Sequence, residues 1–217
     1  MTIIYCYDVY CGWCYGFSPV ISRIAEEYKN EFNFEVLSGG MILPEQPQPI
    51  ATIAPLLRNI CHEVQEKTEI AFGADFLFHI NRPDDSDWFP NSEKAAIALC
   101  IFKELFPRQG VQFAAELQYA LNFEGRDMTD DEAFRHLLHK YDIDPDIFYA
   151  KLHADAYKEK AHNEFATVKQ LKADSFPQLL LQVSENKFYL LAKGYTPYET
   201  LKNTLDSILI QIKSIQN

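Results

Sequence analysis

An α/β fold, with a small mixed sheet built from the two ends of the chain and a large all-helical block inserted between them, is predicted by three observations. The first 49 residues read as strand, helix, strand. Residues from about 50 to 173 carry helical patterns with start signals, and residues 174–217 return to two strands and a final helix. The order is therefore β-α-β, helical block, β-β-α. The expected domains are 1–49 together with 174–217 for the sheet, and 50–173 for the helical insertion. A long insertion in one loop costs the sheet little closure entropy when it packs on itself. The chain has 217 residues, 47% hydrophobic and 24% charged, which are values of a globular chain able to bury a core.

The elements follow in order. Ile3-Ile4-Tyr5-Cys6-Tyr7 is an apolar run of strand length, and Val20, Ile21, Ile24, Ala25 and Tyr28 recur at helical spacing. Phe32-Asn33-Phe34-Glu35-Val36 alternates as a second strand, ended by Gly39-Gly40, and Pro44 to Pro49 forms a turn-rich connector. Asn91 or Ser92 caps a helix with Ala95, Ala96, Leu99, Phe102 and Leu105, and residues 111–123 read as helical. Thr129-Asp130-Asp131-Glu132 has the form of a capping box. Asp144-Pro145 combines an N-cap with proline at the first helical position, opening one long helix through the 160s. Pro177–Val183 and Lys187–Leu191, joined by Ser184-Glu185-Asn186, read as a hairpin. Thr196-Pro197-Tyr198-Glu199 is a second capping box, before a helix carrying Leu201, Leu205, Ile208, Leu209, Ile212 and Ile215.

The chemistry concentrates in Cys11-Gly12-Trp13-Cys14, set between the first strand and the first helix. A thiolate at a helix N-terminus faces unpaired N–H groups and the positive end of the helix dipole, which favours its formation at neutral pH. One turn later, a second sulfur can reach it. Cys11 is thus expected as the attacking thiol and Cys14 as the resolving one. Three other readings compete, one of them that the pair is an inactive relic of a redox fold. A structural disulfide does not suit a reducing compartment. Half of a zinc site needs a second CxxC or a close histidine pair, whereas Cys6, Cys61 and Cys100 are scattered singly and His136 and His139 lie far off. Cys6 and Cys100 read as packing residues. No metal and no cofactor are expected.

The formal net charge of −11, without a basic cluster, argues against nucleic acid or an anionic membrane as the main partner. No apolar run approaches the ~20 residues needed to span a bilayer. The sequence passes from Met1 and Thr2 straight into a strand with no leader-like segment. A cytoplasmic location is the expectation.

A second constellation, Ser175-Phe176-Pro177, opens the third strand. A proline is tolerated at the first residue of a strand. A cis bond there would turn the backbone of Phe176 toward the cysteine pair and free it to pair with an extended substrate. The alternative is an ordinary trans turn proline.

With CGWC after the first strand, Pro19 five residues beyond Cys14, the helical block and Phe176-Pro177, the chain resembles the thioredoxin superfamily. It is most similar to the DsbA family, in which a helical domain is inserted into a thioredoxin-like fold. The segment Asp8 to Phe17, with Ser38-Gly39-Gly40-Met41, is similar to a cytosolic branch of DsbA-like oxidoreductases and predicted protein-disulfide isomerases. The resemblance implies Cys11 as nucleophile, Cys14 as resolving thiol and Pro177 as the cis proline. Phe176 and Trp13 are expected to meet the substrate, Trp13 as part of an aromatic surface with Tyr7, Tyr10, Tyr15 and Phe17, unless these rings are core. The activity implied is thiol–disulfide exchange with protein or small-molecule disulfides and dithiols, glutathione among them. Two alternatives are a glutathione-dependent isomerase or transferase of the 2-hydroxychromene-carboxylate isomerase or kappa-class type, and a redox-inert binding or metal-binding module. One departure bears on direction. The strong oxidants of the family often carry histidine inside the CxxC, whereas Gly12-Trp13 brings no charge, and Asp8 either opposes thiolate formation or is a solvated or capping carboxylate.

Overall fold

The computed structural model describes residues 1–216, without the side chains of 213, 215 and 216, so the apolar contact expected of Ile215 lies outside the described residues. The chain opens with β1 (Thr2–Tyr7), α1 (Gly12–Glu27) and β2 (Asn33–Ser38). Helices then follow: α2 (Ala54–Thr68), α3 (Ala74–Asn81), α4 (Glu93–Leu105), α5 (Gly110–Asn122), α6 (Arg135–Lys140), α7 (Pro145–Leu152) and α8 (Asp155–Gln170). The hairpin β3 (Gln178–Ser184) and β4 (Lys187–Lys193) precedes α9 (Tyr198–Gln216). The strands form one sheet in the order β2-β1-β3-β4, β1 and β2 parallel, the other neighbours antiparallel. The sheet is thus built from both ends of the chain, with the helices α2 to α8 inserted between β2 and β3.

The central position of β1 explains its continuous apolar run, because a strand covered on both faces has no polar side to show. Ile3, Tyr5 and Tyr7 face the main core with Phe17, Ile21 and Ile24 of α1. Ile4 and Cys6 face the other way, onto Leu37, Leu180 and Val168 of α8. Cys6 is thus a packing residue, and burial pushes its thiol up to about 12. The inserted helices do not stand apart from the sheet. α5 packs on α1 and β2, and α8 packs on β2.

The outer edge of β2 is closed by side chains rather than by another strand. Glu164 of α8 accepts the Ser38 N–H at 2.9 Å, and Lys103 of α4 donates to the Val36 carbonyl at 2.6 Å. The two side chains are themselves paired at 2.5 Å, with Glu35 on the same ammonium at 2.8 Å. Backbone groups that would otherwise invite another strand are satisfied within the chain.

Three local expectations change. The single long helix after Asp144 is two helices, broken at His153 and the extended Ala154. The Asp144 cap itself holds, accepting the Asp146 and Ile147 N–H groups. At 129–132 the cap shifts by one residue: Asp130 accepts the Glu132 N–H ahead of a short 3₁₀ turn at Asp131–Phe134, while Thr129 bonds back to Asp127. The Thr196 hydroxyl likewise donates backward to the Gly194 carbonyl at 3.3 Å. In both boxes the threonine found a nearer backbone or side-chain partner than the helix N–H it was expected to cap.

Candidate active site

The site forms where the turn after β1, the start of α1 and the approach to β3 converge. Cys11 is the N-cap of α1, in an extended conformation, and its Sγ accepts the Cys14 N–H at 3.1 Å. The thiol therefore takes the place of the serine or aspartate oxygen that usually caps a helix. The Cys11 N–H donates to the Asp8 carbonyl at 3.1 Å, closing the turn. From the approach to β3, the neighbour of β1, the Phe176 carbonyl lies 3.5 Å from Cys11 Sγ, within reach of its S–H. The Phe176–Pro177 peptide is cis. The two constellations read from the sequence are thus brought together.

The thiols differ in access. Cys11 is 6% exposed and Cys14 fully enclosed. Cys11 is nearer the surface, as expected, but it is recessed rather than open. Burial pushes the Cys14 thiol well above its ordinary value, and the neighbouring Cys11 sulfur adds to the effect. Both are free thiols.

The recess is made by close approaches that glycine permits. A Cβ on Gly12 would stand 2.7 Å from Ile60 Cγ2, and one on Gly16 at 2.7 Å from Val64 Cγ1, so α2 lies directly across the start of α1. A Cβ on Gly39 would clash with the Phe176 ring, 2.0 Å from its Cζ. Trp13 is half-buried beside Tyr195, ring centroids 6.3 Å apart. Tyr7, Tyr10, Tyr15 and Phe17 are all core residues, so of the five aromatic side chains considered for a contact surface only Trp13 reaches solvent.

Beneath the thiol turn lies Asp8, 1% exposed. Its Oδ1 accepts the Tyr10 N–H at 3.0 Å and the Ser92 hydroxyl at 2.9 Å, and its Oδ2 accepts the Met41 N–H at 2.8 Å. Asp8 is neither solvated nor a helix cap, since Cys11 holds the N-cap of α1 and Asp8 bonds the turn before it. Burial outweighs these bonds and raises its carboxyl above the ordinary carboxylate range. Its carbonyl also accepts Gln118 Nε2 at 2.6 Å. Ser92, just before α4, and Gln118 of α5 were not legible as site residues. Ser92 read as a helix cap, but its hydroxyl is taken by Asp8, and Asn91 bonds the Glu93 N–H instead.

Among the described residues no group of three or more His, Cys, Asp or Glu side chains is placed to hold an ion. His136 faces Glu124 at 3.3 Å instead. Among the same residues no helix is long and apolar enough to cross a membrane.

A family model for the DSBA-like thioredoxin domain matches residues 2–206. The chain therefore belongs to the DSBA-like thioredoxin domain family. Among solved structures it is similar to a candidate protein disulfide isomerase from Nitrosomonas europaea, 25% identical, with a TM-score of 0.80 over 97% of this chain and 98% of that one. It is also similar to the cytosolic disulfide reductase DsbM from Pseudomonas aeruginosa, 21% identical, with a TM-score of 0.77 over 97% and 100% of the two chains. A 2-hydroxychromene-2-carboxylate isomerase shares the fold at 11% identity and a TM-score of 0.67, over 99% of both chains. A curated relative, the ClpXP adapter protein SpxH of Shouchella clausii, is 19% identical over 203 residues, 93% of this chain. The chain spans 65% of the length of that relative.

The Gly39–Phe176 contact makes an early test of the geometry. Gly39→Ala should drive the Phe176 ring, and the carbonyl attached to it, away from Cys11. The expected result is a fall of about tenfold in disulfide-exchange rate, since misplacement near 1 Å at a reacting centre costs up to ~10². Thermal unfolding should show the fold retained. Stopped-flow exchange with a small disulfide measures the rate.

Proposed function

We propose that Cys11 and Cys14 form a redox pair that exchanges disulfides with extended protein segments or small thiols. The Cys11 thiolate attacks a substrate disulfide, forming a mixed disulfide and releasing one substrate thiolate. Cys14 then gives up its proton and attacks Cys11 Sγ, releasing the second substrate thiol and leaving the Cys11–Cys14 disulfide. The reverse sequence oxidises a dithiol.

One observation carries this reading: the Cys11 thiol sits at the N-cap of α1, bonded by the Cys14 N–H, with the Phe176 carbonyl 3.5 Å away. In this scheme Pro177 holds the Phe176 backbone beside the reacting sulfur, where an extended substrate can pair with it. Trp13 and the Phe176 ring supply apolar contact. Residues 50–173 act as an inserted helical domain over the thiols, with 1–49 and 174–217 as the sheet domain. A cytoplasmic location and glutathione as a reaction partner are supported by neighbours described as a cytosolic reductase, one of them with GSH. The glutathione-dependent isomerase reading draws on likeness of fold alone.

Equilibration with glutathione redox buffers tests the proposal. Peptide mapping of the oxidised protein should find a Cys11–Cys14 bond, and alkylation of the reduced protein at neutral pH should label Cys11 first. Cys14, Cys6 and Cys61 should react slowly, since burial raises all three and takes Cys6 and Cys61 to about 12. First labelling of Cys14, or a mapped bond to another cysteine, rejects the assignment.

A further inference from the structure

Gln118 and Asn122 are the polar side chains that α5 buries, enclosed among Phe113, Leu117, Ala120 and Leu121 on a helix packed against α1. A buried amide costs stability unless its hydrogen bonds are made. Here the bonds lead in one direction. Asn122 Nδ2 donates to the Gln118 carbonyl at 2.9 Å and to Gln118 Oε1 at 3.2 Å. With its oxygen held that way, Gln118 turns Nε2 onto the Asp8 carbonyl at 2.6 Å. The orientation is dictated by chemistry, because a carbonyl can only accept. The same Asp8 carbonyl accepts the Cys11 N–H at 3.1 Å, the bond that closes the four-residue turn carrying β1 into α1. Both lone pairs of that oxygen are thus taken, one from within the turn and one from the helical block. The far end is anchored too. The Asn122 carbonyl accepts the Gly73 N–H at 3.0 Å, and Phe72 beside it stands 3.8 Å from where a Cβ on Gly12 would lie.

We propose that Gln118 is a positioning residue for disulfide exchange, tying the inserted helices to the Asp8–Cys11 turn so that the Cys11 backbone stays still while its sulfur changes partners. The inference deepens the Cys11–Cys14 exchange reading and rests on it. In the reduced protein the sulfur accepts the Cys14 N–H and faces the Phe176 carbonyl. To attack a disulfide, and later to bond Cys14 Sγ, it has to leave these partners. Rotation about the Cα–Cβ bond achieves this as long as Cα keeps its place. If the turn opens, Cα drifts with the sulfur and the line of attack is lost, and rates at a reacting centre fall steeply with such drift. One bond within a turn is a weak restraint on its own. The Gln118 amide comes from a different element, so opening the turn must break its bond as well.

Gln118→Met keeps the length of the side chain and removes the donor. Single-turnover exchange with a small disulfide should slow about tenfold. The Cys11 amide resonance should broaden or split, reporting a turn in more than one conformation. Leu121→Ala, on the same helix, removes packing but no bond to the turn. It should cost as much stability or more in thermal unfolding, yet keep the exchange rate within about twofold of wild type and leave the Cys11 resonance single. A purely structural role makes the rate follow stability, so equal slowing in the two variants overturns the proposal. An unchanged rate in Gln118→Met, or slowing with an unchanged Cys11 resonance, overturns it as well. If Gln118→Met does not fold, Asn122→Ala decides by the same two readings, since it frees the Gln118 amide to rotate off the turn, with slowing of about threefold expected. A wild-type protein that exchanges no disulfide overturns the exchange reading and this inference together. A wild-type protein that exchanges, with variants that match it, overturns only the latter.

Discussion

Cys11→Ser is expected to abolish disulfide exchange, and Cys14→Ser to stop the cycle one step later. The Cys11 sulfur is the one that caps α1, receives the Cys14 N–H and faces the Phe176 carbonyl. A serine hydroxyl could keep the cap, so the helix should survive. It cannot form a mixed disulfide, so the covalent route is lost. A thousandfold or greater fall is expected, which is roughly 4 kcal/mol or more of transition-state stabilisation. Cys14→Ser leaves the attacking thiol but removes the group that releases the substrate, so mixed disulfides should accumulate and be visible on non-reducing gels or by mass spectrometry. Cys61→Ser and Cys100→Ser should turn over much as wild type. Cys6→Ser should do so as well, with some stability lost where a hydroxyl replaces a thiol among Ile4, Leu37 and Leu180. Full exchange activity in Cys11→Ser would end the proposed mechanism.

The parts of this molecule legible in the sequence were those governed by short-range rules. The apolar run of β1, the cysteines at a strand–helix junction and the Asp144-Pro145 start each carry their physics within a few residues, and each is found where expected. Phe176-Pro177 could be singled out for the same reason, but only the fold reveals that its carbonyl meets Cys11 across 165 positions of sequence. The misread details had local signals with a rival partner. Ser92 has the residue type and place of a helix cap, yet its hydroxyl serves Asp8, 84 residues away. Thr129 and Thr196 fit their capping boxes, and both bond backward. Ile60, Gln118 and Glu164 had no signal at all, because an isoleucine, a glutamine and a glutamate on helices are ordinary until the partner they touch is known. Asp8 lies between these cases. Its proximity to Cys11 was visible, but the donors that hold it come from Tyr10, Met41 and Ser92, three separate stretches of chain.

Lys103→Met should cost stability out of proportion to one surface-lying residue. The Lys103 ammonium is the only cation paired with Glu164 among the described residues, and the side chains are 16% and 12% exposed. Removing it leaves the Glu164 carboxylate mostly buried against the Ser38 N–H and the Cys100 thiol, with no positive partner. Breaking a buried pair from one side costs about 3–5 kcal/mol. Some water reaches this pair, so the lower end is expected, near 3 kcal/mol, or roughly 6–12 °C in Tm for a chain of this size. Denaturant unfolding measures it. The double variant Lys103→Met with Glu164→Leu should recover part of the loss, because the stranded charge is gone, with a coupling of roughly 1–3 kcal/mol. The pH dependence has a definite sign. Burial alone would lower the Lys103 ammonium, but Glu164 and Glu35 outweigh it, and the group is held above its ordinary value. Its contribution is therefore complete below the unfolded lysine pKa of about 10.4 and fades as the pH rises through the higher folded value. The wild-type protein should lose this increment on strong alkalinisation, and Lys103→Met should not. Function is tied to the same contact, since Ser38 leads directly into Gly39, on which the Phe176 ring rests. Loss of the Lys103–Glu164 pair should thus loosen the loop beside the thiols and slow exchange modestly in the folded variant. Unchanged stability in Lys103→Met would show that the edge of β2 is closed without this pair.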